Sequence, residues 1–214
     1  IARCLLERDI VVWRGPDGAV VAAPDRCPHR EAPLSIGCVN EGVLQCAYHG
    51  WEFGAGGQLV RVPSALPGVP VPPTGHLGVH HAVERYGLVW VCLGEPVADI
   101  PVIAQDCDPA FRRINNPVEP WTTSSTRLVD NFMDYTHFPF VHTGTFGRAQ
   151  DTVVPRFDVE PLDDGWYGFR YEVDVNNPET AQSISGQTDK VLHRQMSTGF
   201  TLPFSVRSTI HYET

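Results

Sequence analysis

The 214-residue chain contains no apolar run near the roughly 18 residues that a bilayer-spanning helix requires. It has no basic stripe: the net charge is −9 and the acids are spread along the chain, which excludes a nucleic-acid surface without naming a partner. Ile1 to Leu6 show no charged segment leading into an apolar one, so no secretory signal is visible, and a cytoplasmic location is expected. The chain starts without Met and stops at Thr214 inside an alternating run. Both ends are therefore expected to be cut, and a missing leader carries little weight. There is no internal repeat. Six cysteines are few for this length, and two of them stand in histidine-paired motifs, so reduced thiols are expected rather than a disulfide framework.

Apolar residues make up 42% and charged residues 19% of the chain, the composition of an ordinary globular protein with room for one large or two modest domains. The first ninety-odd residues contain no convincing helix. Asp9–Arg14 and Ala19–Ala23 flank the turn Gly15-Pro16-Asp17-Gly18, and Val43–Cys46 and Trp51–Phe53 bracket a loop. Leu77–Glu84 and Leu88–Leu93 read as a hairpin, with His76, His80 and His81 as exposed strand residues. This half is expected to be all-β, a small sandwich or barrel. Pro96, Pro101 and Pro109 mark a linker between Gly94 and Pro109.

Beyond it the character changes. Leu128, Phe132 and Tyr135 recur at helical spacing, and Ser124 or Ser125 can cap a helix over Ser124–His137. Arg156–Pro161, Tyr167–Val175 and Ser205–Tyr212 alternate as strands, and Asn176–Lys190 reads as a long polar loop. The fold class is α+β: an all-β domain over 1–94 followed by a mixed α+β segment over 95–214.

Two ligand pairs stand out. Cys27-Pro28-His29 and Cys46-Ala47-Tyr48-His49 are separated by sixteen residues, each in a turn-rich loop between strands. Two thiolates and two imidazoles admit either zinc or a [2Fe–2S] cluster in which two His replace two Cys on one iron. Zinc sites of this composition usually group Cys with Cys and His with His, whereas here each loop supplies one of each. That content suits a cluster with Cys27 and Cys46 on one iron and His29 and His49 on the other. Gly50 allows a close backbone approach, and Trp51 can shield the site from water.

In a second constellation, Asp134 and His137 lie three apart and would share a helix face. His137 and His142 lie five apart, which a straight helix would set about 140° round from each other. Pro139 between them can bend the chain so that the rings converge. Two imidazoles with one carboxylate suit divalent iron as a facial triad with open positions, although two His beside aromatics more often belong to a core or a surface.

The run Cys27-Pro28-His29-Arg30-Glu31-Ala32-Pro33-Leu34 together with Cys46-Ala47-Tyr48-His49-Gly50-Trp51 resembles the N-terminal domain of Rieske non-haem iron oxygenases. Respiratory Rieske proteins add a disulfide between the cluster loops. Here no Cys follows His29 until Cys38 and no mate follows Cys46, so the oxygenase branch fits better, and Cys4, Cys38, Cys92 and Cys107 are left as structural or incidental thiols. Asn131–His142 resembles the two-histidine helix of the same family. The resemblance covers the Rieske domain nearly whole and only the front of a helix-grip-like catalytic domain.

It implies that His137 and His142 bind a mononuclear Fe(II), that Asp134 links the two metal centres across a subunit boundary, and that the third ligand is an Asp downstream of Thr214. Asp151, Asp158, Asp163, Asp164 and Asp174 read as turn or surface acids, and His193 and His211 as structural strand residues. By the same resemblance the protein is a terminal monooxygenase that hydroxylates or O/N-demethylates a small, aromatic substrate with O2. Electrons would come from NADH or NADPH through a reductase, with or without a ferredoxin, and the assembly would be a homotrimer. The alternatives are the large subunit of a ring-hydroxylating dioxygenase and a Rieske ferredoxin, which would leave His137 and His142 unexplained.

Overall fold

A computed structural model describes residues 1–212 and divides the chain into two compact units, Ile1–Asp99 and Ile100–Thr214. The division falls inside the proline-bearing stretch 94–109.

In the first unit the β-branched and aromatic alternation produces an antiparallel meander of β1 (Ala2–Leu5), β2 (Arg8–Arg14) and β3 (Val20–Pro24). A second sheet follows, ordered β4 (Cys38–Asn40), β5 (Val43–Gln45), β6 (Glu52–Phe53) and β7 (Leu59–Arg61). The hairpin of β8 (His81–Arg85) and β9 (Leu88–Cys92) turns through Tyr86 and Gly87, both at positive φ. It joins the first sheet through a bridge between Ala22 and His80. One core unites both sheets: Val11, Trp13, Val21 and Ala23 from the first meet Leu44, Phe53 and Leu59 from the second, with Cys27 and Cys46 among them. The unit is thus two sheets and a hairpin around a shared core, not one closed barrel. The hairpin's first strand begins at His81, four residues later than its sequence suggests, which leaves His76 exposed outside any strand and His80 half-buried.

In the second unit, α1 (Ser125–Met133) starts where the Ser124 hydroxyl accepts the Arg127 amide, an N-cap of the expected kind. Then come α2 (Phe138–Val141), β10 (Glu160–Pro161), β11 (Tyr167–Asn176), α3 (Glu179–Ser185), β12 (Val191–Thr201) and β13 (Ser205–Tyr212). The four strands form one antiparallel sheet in sequence order. Alternation puts Phe169 and Tyr171 of β11 and Met196 of β12 on one face, where Met133, Tyr135 and Phe157 pack against them.

Two readings need correction. The segment 176–190 is not a plain loop, because it holds α3. That helix buries none of its residues, so it leaves no apolar periodicity to read. It is held at its ends instead, by the left-handed Gly186 and by buried Asn177, whose amide donates to the Gln187 and Asp189 carbonyls. Also, the strand expected over Arg156–Pro161 is confined to its last two residues.

Burial pushes the Tyr171 phenol up, against a hydrogen bond with Thr198 and the nearby charge of Arg194. A raised phenol means the folded state keeps a proton that the unfolded chain releases near pH about 10. This stabilisation is complete below that pH and is lost as pH climbs through the higher folded value. Thermal unfolding across the alkaline range should show the loss, and Tyr171→Phe should reduce it, the remainder belonging to Tyr135, whose phenol is also raised.

Candidate metal centres

The two cysteine loops are built alike. In the first, the Cys27 amide donates to the Ala32 carbonyl at 2.9 Å and the Glu31 amide to the Cys27 carbonyl at 2.8 Å. In the second, the Cys46 amide donates to Trp51 at 2.9 Å and the Gly50 amide to Cys46 at 3.0 Å. Each loop is therefore a six-residue knuckle opened by a cysteine and closed by the same two bonds. The fifth residue of each has positive φ, Glu31 at 61° and Gly50 at 71°. Glycine meets that demand without strain, and a side chain at 50 would also press on Pro63, whose Cγ lies 3.0 Å from the Cβ position. Glu31 tolerates it while ion-paired to Arg26.

The knuckles bring their donors together by kind. Cys27 and Cys46 are each buried at 2% exposure within the same core cluster. The His29 and His49 rings are 4.6 Å apart edge-on, and Trp51 stacks on His29 at 4.5 Å with the planes 2° from parallel. Burial, and then the neighbouring Cys46, pushes the Cys27 thiol up. Burial, followed by the charges of His49 and Arg30, keeps the His29 imidazole neutral to lower pH. The His29 Nδ1 is buried without a hydrogen-bond partner. An orphaned ring nitrogen beside two buried thiols and a second ring is a donor set that fits an iron–sulfur cluster. Among the described residues no three His, Cys, Asp or Glu side chains close on a single ion. Pairs are what each iron of a two-iron cluster takes from the protein.

Asp134 and His137 do meet, but not on a helix face. Helix α1 stops at Met133, and Asp134 is its extended C-cap, with ψ 131°. Its Oδ1 accepts the Thr136 amide at 2.7 Å and the Thr136 hydroxyl at 2.6 Å, and its Oδ2 lies 2.9 Å from His137 Nδ1. Burial opposes ionisation of this carboxyl, but the bonds from Thr136 and His137 outweigh it and hold the group below the usual carboxylate range. With a carboxylate on Nδ1, the His137 proton sits there and Nε2 keeps its lone pair.

Convergence of the two rings has a simple origin. His137 caps the start of α2 and His142 its end, with buried Pro139 in the first turn, where a missing N–H costs nothing. Four helical residues then bring the rings to 5.1 Å. Phe146 stacks on His142 at 4.6 Å, and Phe138 meets both Phe146 and Tyr135 edge-on. Burial, with the charges of Tyr171, Asp151 and Asp174, pushes the Tyr135 phenol to about 12.

The loop after His142 folds back through bonds from Thr145 and Gly147 to the His142 carbonyl, both at 2.9 Å. A Cβ on Gly147 would stand 2.1 Å from the Phe138 carbonyl oxygen, a backbone atom that cannot step aside. Gly147→Ala should therefore cost about 1–3 kcal/mol of stability and spread the two histidines. Chemical denaturation checks the first effect, and iron affinity at the pair checks the second.

The remaining acids are engaged elsewhere. Asp151 pairs with Arg148, Asp158 with Arg156 and Asp163 with Arg170, while Asp164 turns the chain at φ 59°. His193 pairs across the strands with Asp174 at 2.9 Å, and His211 is exposed on β13. All six cysteines are free. Sequence reasoning singled out neither Phe146 nor Arg194, an arginine on β12 whose guanidinium carbon lies 5.8 Å from the Phe146 ring centre.

Comparison with known proteins agrees with this geometry. Residues 2–73 match the family described as Rieske [2Fe-2S] domain, and residues 121–214 match the vanillate O-demethylase oxygenase C-terminal domain. The chain is 36% identical to methylxanthine N1-demethylase NdmA of Pseudomonas putida over 71% of its own length and 44% of the relative's. It is 37% identical to the oxygenase component of dicamba O-demethylase from Stenotrophomonas maltophilia, over 72% and 47%. The structure of Pseudomonas putida CBB5 NdmA with caffeine superposes with a TM-score of 0.81 at 30% identity, covering 97% of this chain and 58% of that one. Dicamba monooxygenase with non-heme iron and dicamba gives 0.70 at 26% identity, over 99% and 61%. The chain spans less than half the length of these curated relatives.

Proposed function

A chain with a Rieske [2Fe–2S] domain at 2–73 and a vanillate demethylase-type oxygenase domain from 121 onward belongs to the Rieske non-haem iron oxygenases, and we propose that it forms the front part of a terminal monooxygenase that O- or N-demethylates, or hydroxylates, a small aromatic substrate. The observation that carries this reading is the presence in one chain of two separate donor groups, the thiol and imidazole pairs of the knuckles and the capped histidine pair of α2. An electron carrier needs only the first. The names of the relatives, methylxanthine N1-demethylase and dicamba O-demethylase, support demethylation over ring dihydroxylation.

In this reading residues 1–94 are the Rieske domain and 95–214 the front of the catalytic domain. Cys27 and Cys46 hold one iron of the cluster and His29 and His49 the other, while His137 and His142 hold the mononuclear iron. When bound, these groups supply single electrons and the activation of O2. The chain's own contribution is positional. Trp51 covers the His29 ring, Asp134 fixes the tautomer of His137, and Phe146 holds the plane of His142. The third iron ligand is an Asp downstream of Thr214. Partners are an NAD(P)H-dependent reductase, with or without a ferredoxin, and two further copies of the chain in a trimer that works in the cytoplasm. Among the described residues no helix is long and apolar enough to cross a membrane.

The test uses full-length protein. Its reduced EPR spectrum should be of the mixed Cys/His kind. With reductase and NADH, an aryl methyl ether or N-methyl heteroarene should lose its methyl as formaldehyde, in step with O2 uptake. A cis-diol product would point to the dioxygenase large subunit. An all-cysteine spectrum, or stoichiometric zinc, would overturn the ligand assignment.

A further inference from the structure

The second knuckle is braced from outside by a row of side chains that the ligand set does not use. Leu44 and Phe53 are buried in the core, so alternation turns their neighbours Gln45 and Glu52 to the opposite face of the sheet. There Cys38, Gln45, Glu52 and Arg61 are successive cross-strand partners on β4, β5, β6 and β7. The Cys38 thiol donates to Gln45 Oε1 at 3.4 Å, and Gln45 Nε2 donates to Glu52 Oε1 at 2.9 Å. Arg61 donates to the same Glu52 oxygen at 2.7 Å. Gln45 stands directly before Cys46, and Glu52 directly after Trp51. The backbone bond from Cys46 to Trp51, which closes the knuckle, is therefore the next rung beyond this pair.

Bracing a knuckle requires no cation. At the first one the Asp25 carboxylate accepts the Ser35 amide at 2.7 Å and its hydroxyl at 2.5 Å, both neutral donors. At the second, the neutral Gln45 amide already reaches Glu52, yet Arg61 adds a positive charge. The Glu52 side chain is 17% exposed against 63% for Arg61, so the acid is the less screened of the two. Reduction adds negative charge to a cluster, and a carboxylate at the root of a ligand loop opposes it. A cation on that carboxylate offsets part of the effect.

We propose that Glu52 and Arg61 set the reduction potential of the cluster, Glu52 lowering it and Arg61 moderating the decrease. Neither supplies a ligand, and both act through charge. The step they influence is a one-electron transfer: the reductase is oxidised, the cluster is reduced, and no bond forms or breaks. This rests on the Rieske reading of the two knuckles and adds to it a pair of residues outside the ligand set.

The test is a potentiometric titration of full-length protein with dithionite and mediators, followed by the visible spectrum of the cluster, with reduced EPR spectra recorded alongside. Glu52→Gln keeps the shape and an oxygen for Gln45 and Arg61 but removes the charge. It should shift the equilibrium toward the reduced cluster by about two- to tenfold, tenfold being about 59 mV for one electron. Arg61→Gln leaves Glu52 without its cation and should shift the equilibrium the other way, by a smaller factor because Arg61 is the more exposed. That smaller shift should shrink as salt is raised. The double variant should fall between the parent and Glu52→Gln.

Opposite signs are the discriminating result, because a loosened knuckle would move both single variants in one direction. Single variants at the parent potential, or both displaced the same way, overturn the proposal, while an unchanged mixed Cys/His spectrum leaves the ligand assignment standing. Should Glu52→Gln fold poorly, the sign of the Arg61→Gln shift decides alone. A parent spectrum of the all-cysteine kind overturns the ligand assignment and this proposal with it.

Discussion

Cys27→Ala is expected to give full-length protein without visible colour and with cluster iron and sulfide near zero, while Cys38→Ala keeps both. The contrast follows from position. Cys27 opens the first knuckle at 2% exposure, inside the core that joins the two sheets and also holds Cys46. Cys38 starts β4 and is exposed, its thiol bonded to Gln45 and Asn40. Removing Cys27 leaves Cys46 as the lone thiol beside two imidazoles, too few donors for two irons. Because the energy of metal binding is also folding energy, the variant should unfold more readily than parent as isolated, and no more readily once both are stripped of metal. Iron and sulfide analysis with a melting curve decides the point. A coloured Cys27→Ala protein with normal iron would mean that the ligand assignment is wrong.

Asp134→Ala is expected to cost about 10–100-fold in turnover with the reduced cluster spectrum unchanged. The carboxylate has three bonds in place: two from Thr136 on one oxygen and one from His137 Nδ1 on the other. Its side chain remains 39% exposed, so one edge is open to solvent. Alanine deletes all of this and frees the His137 ring to rotate. Asp134→Asn discriminates among the roles. It can still accept from Thr136 with its oxygen, but it then turns an NH2 group toward the proton on Nδ1, so the ring must flip or change tautomer. Asn is therefore expected to fail nearly as badly as Ala, although it preserves volume. Mononuclear iron content and single-turnover rates separate loss of the metal from loss of electron delivery. Near-normal product formation by either variant would refute the role, and loss of the cluster would show that Asp134 acts on folding instead.

The sequence made the knuckles legible because their chemistry is local. Cys and His two or three residues apart in turn-rich loops can meet whatever the surroundings do. The Asp134–His137 contact was anticipated for the wrong reason. Spacing suggested one helical turn, whereas the chain leaves α1 at Met133 and closes the contact through a turn built on Thr136. The sequence suggests that a bend at Pro139 brings His137 and His142 together, whereas the structure uses that proline to start a new helix. The helix α3 leaves no apolar stripe to read because none of its residues is buried. Arg194 was passed over because a charge in an alternating strand reads as surface. Its ring neighbours, Phe146 and Tyr212 of β13, are distant from it in sequence.

The kinship of the two knuckles bears on how the protein is assembled. Each one closes over a span of six residues through backbone bonds, so ordering it costs little loop entropy. The thiols are then held in place by the same apolar packing that stabilises the first unit. The donors are therefore held by backbone bonds and core packing, so a substitution that loosens the core of the first unit reaches both ligand loops as well.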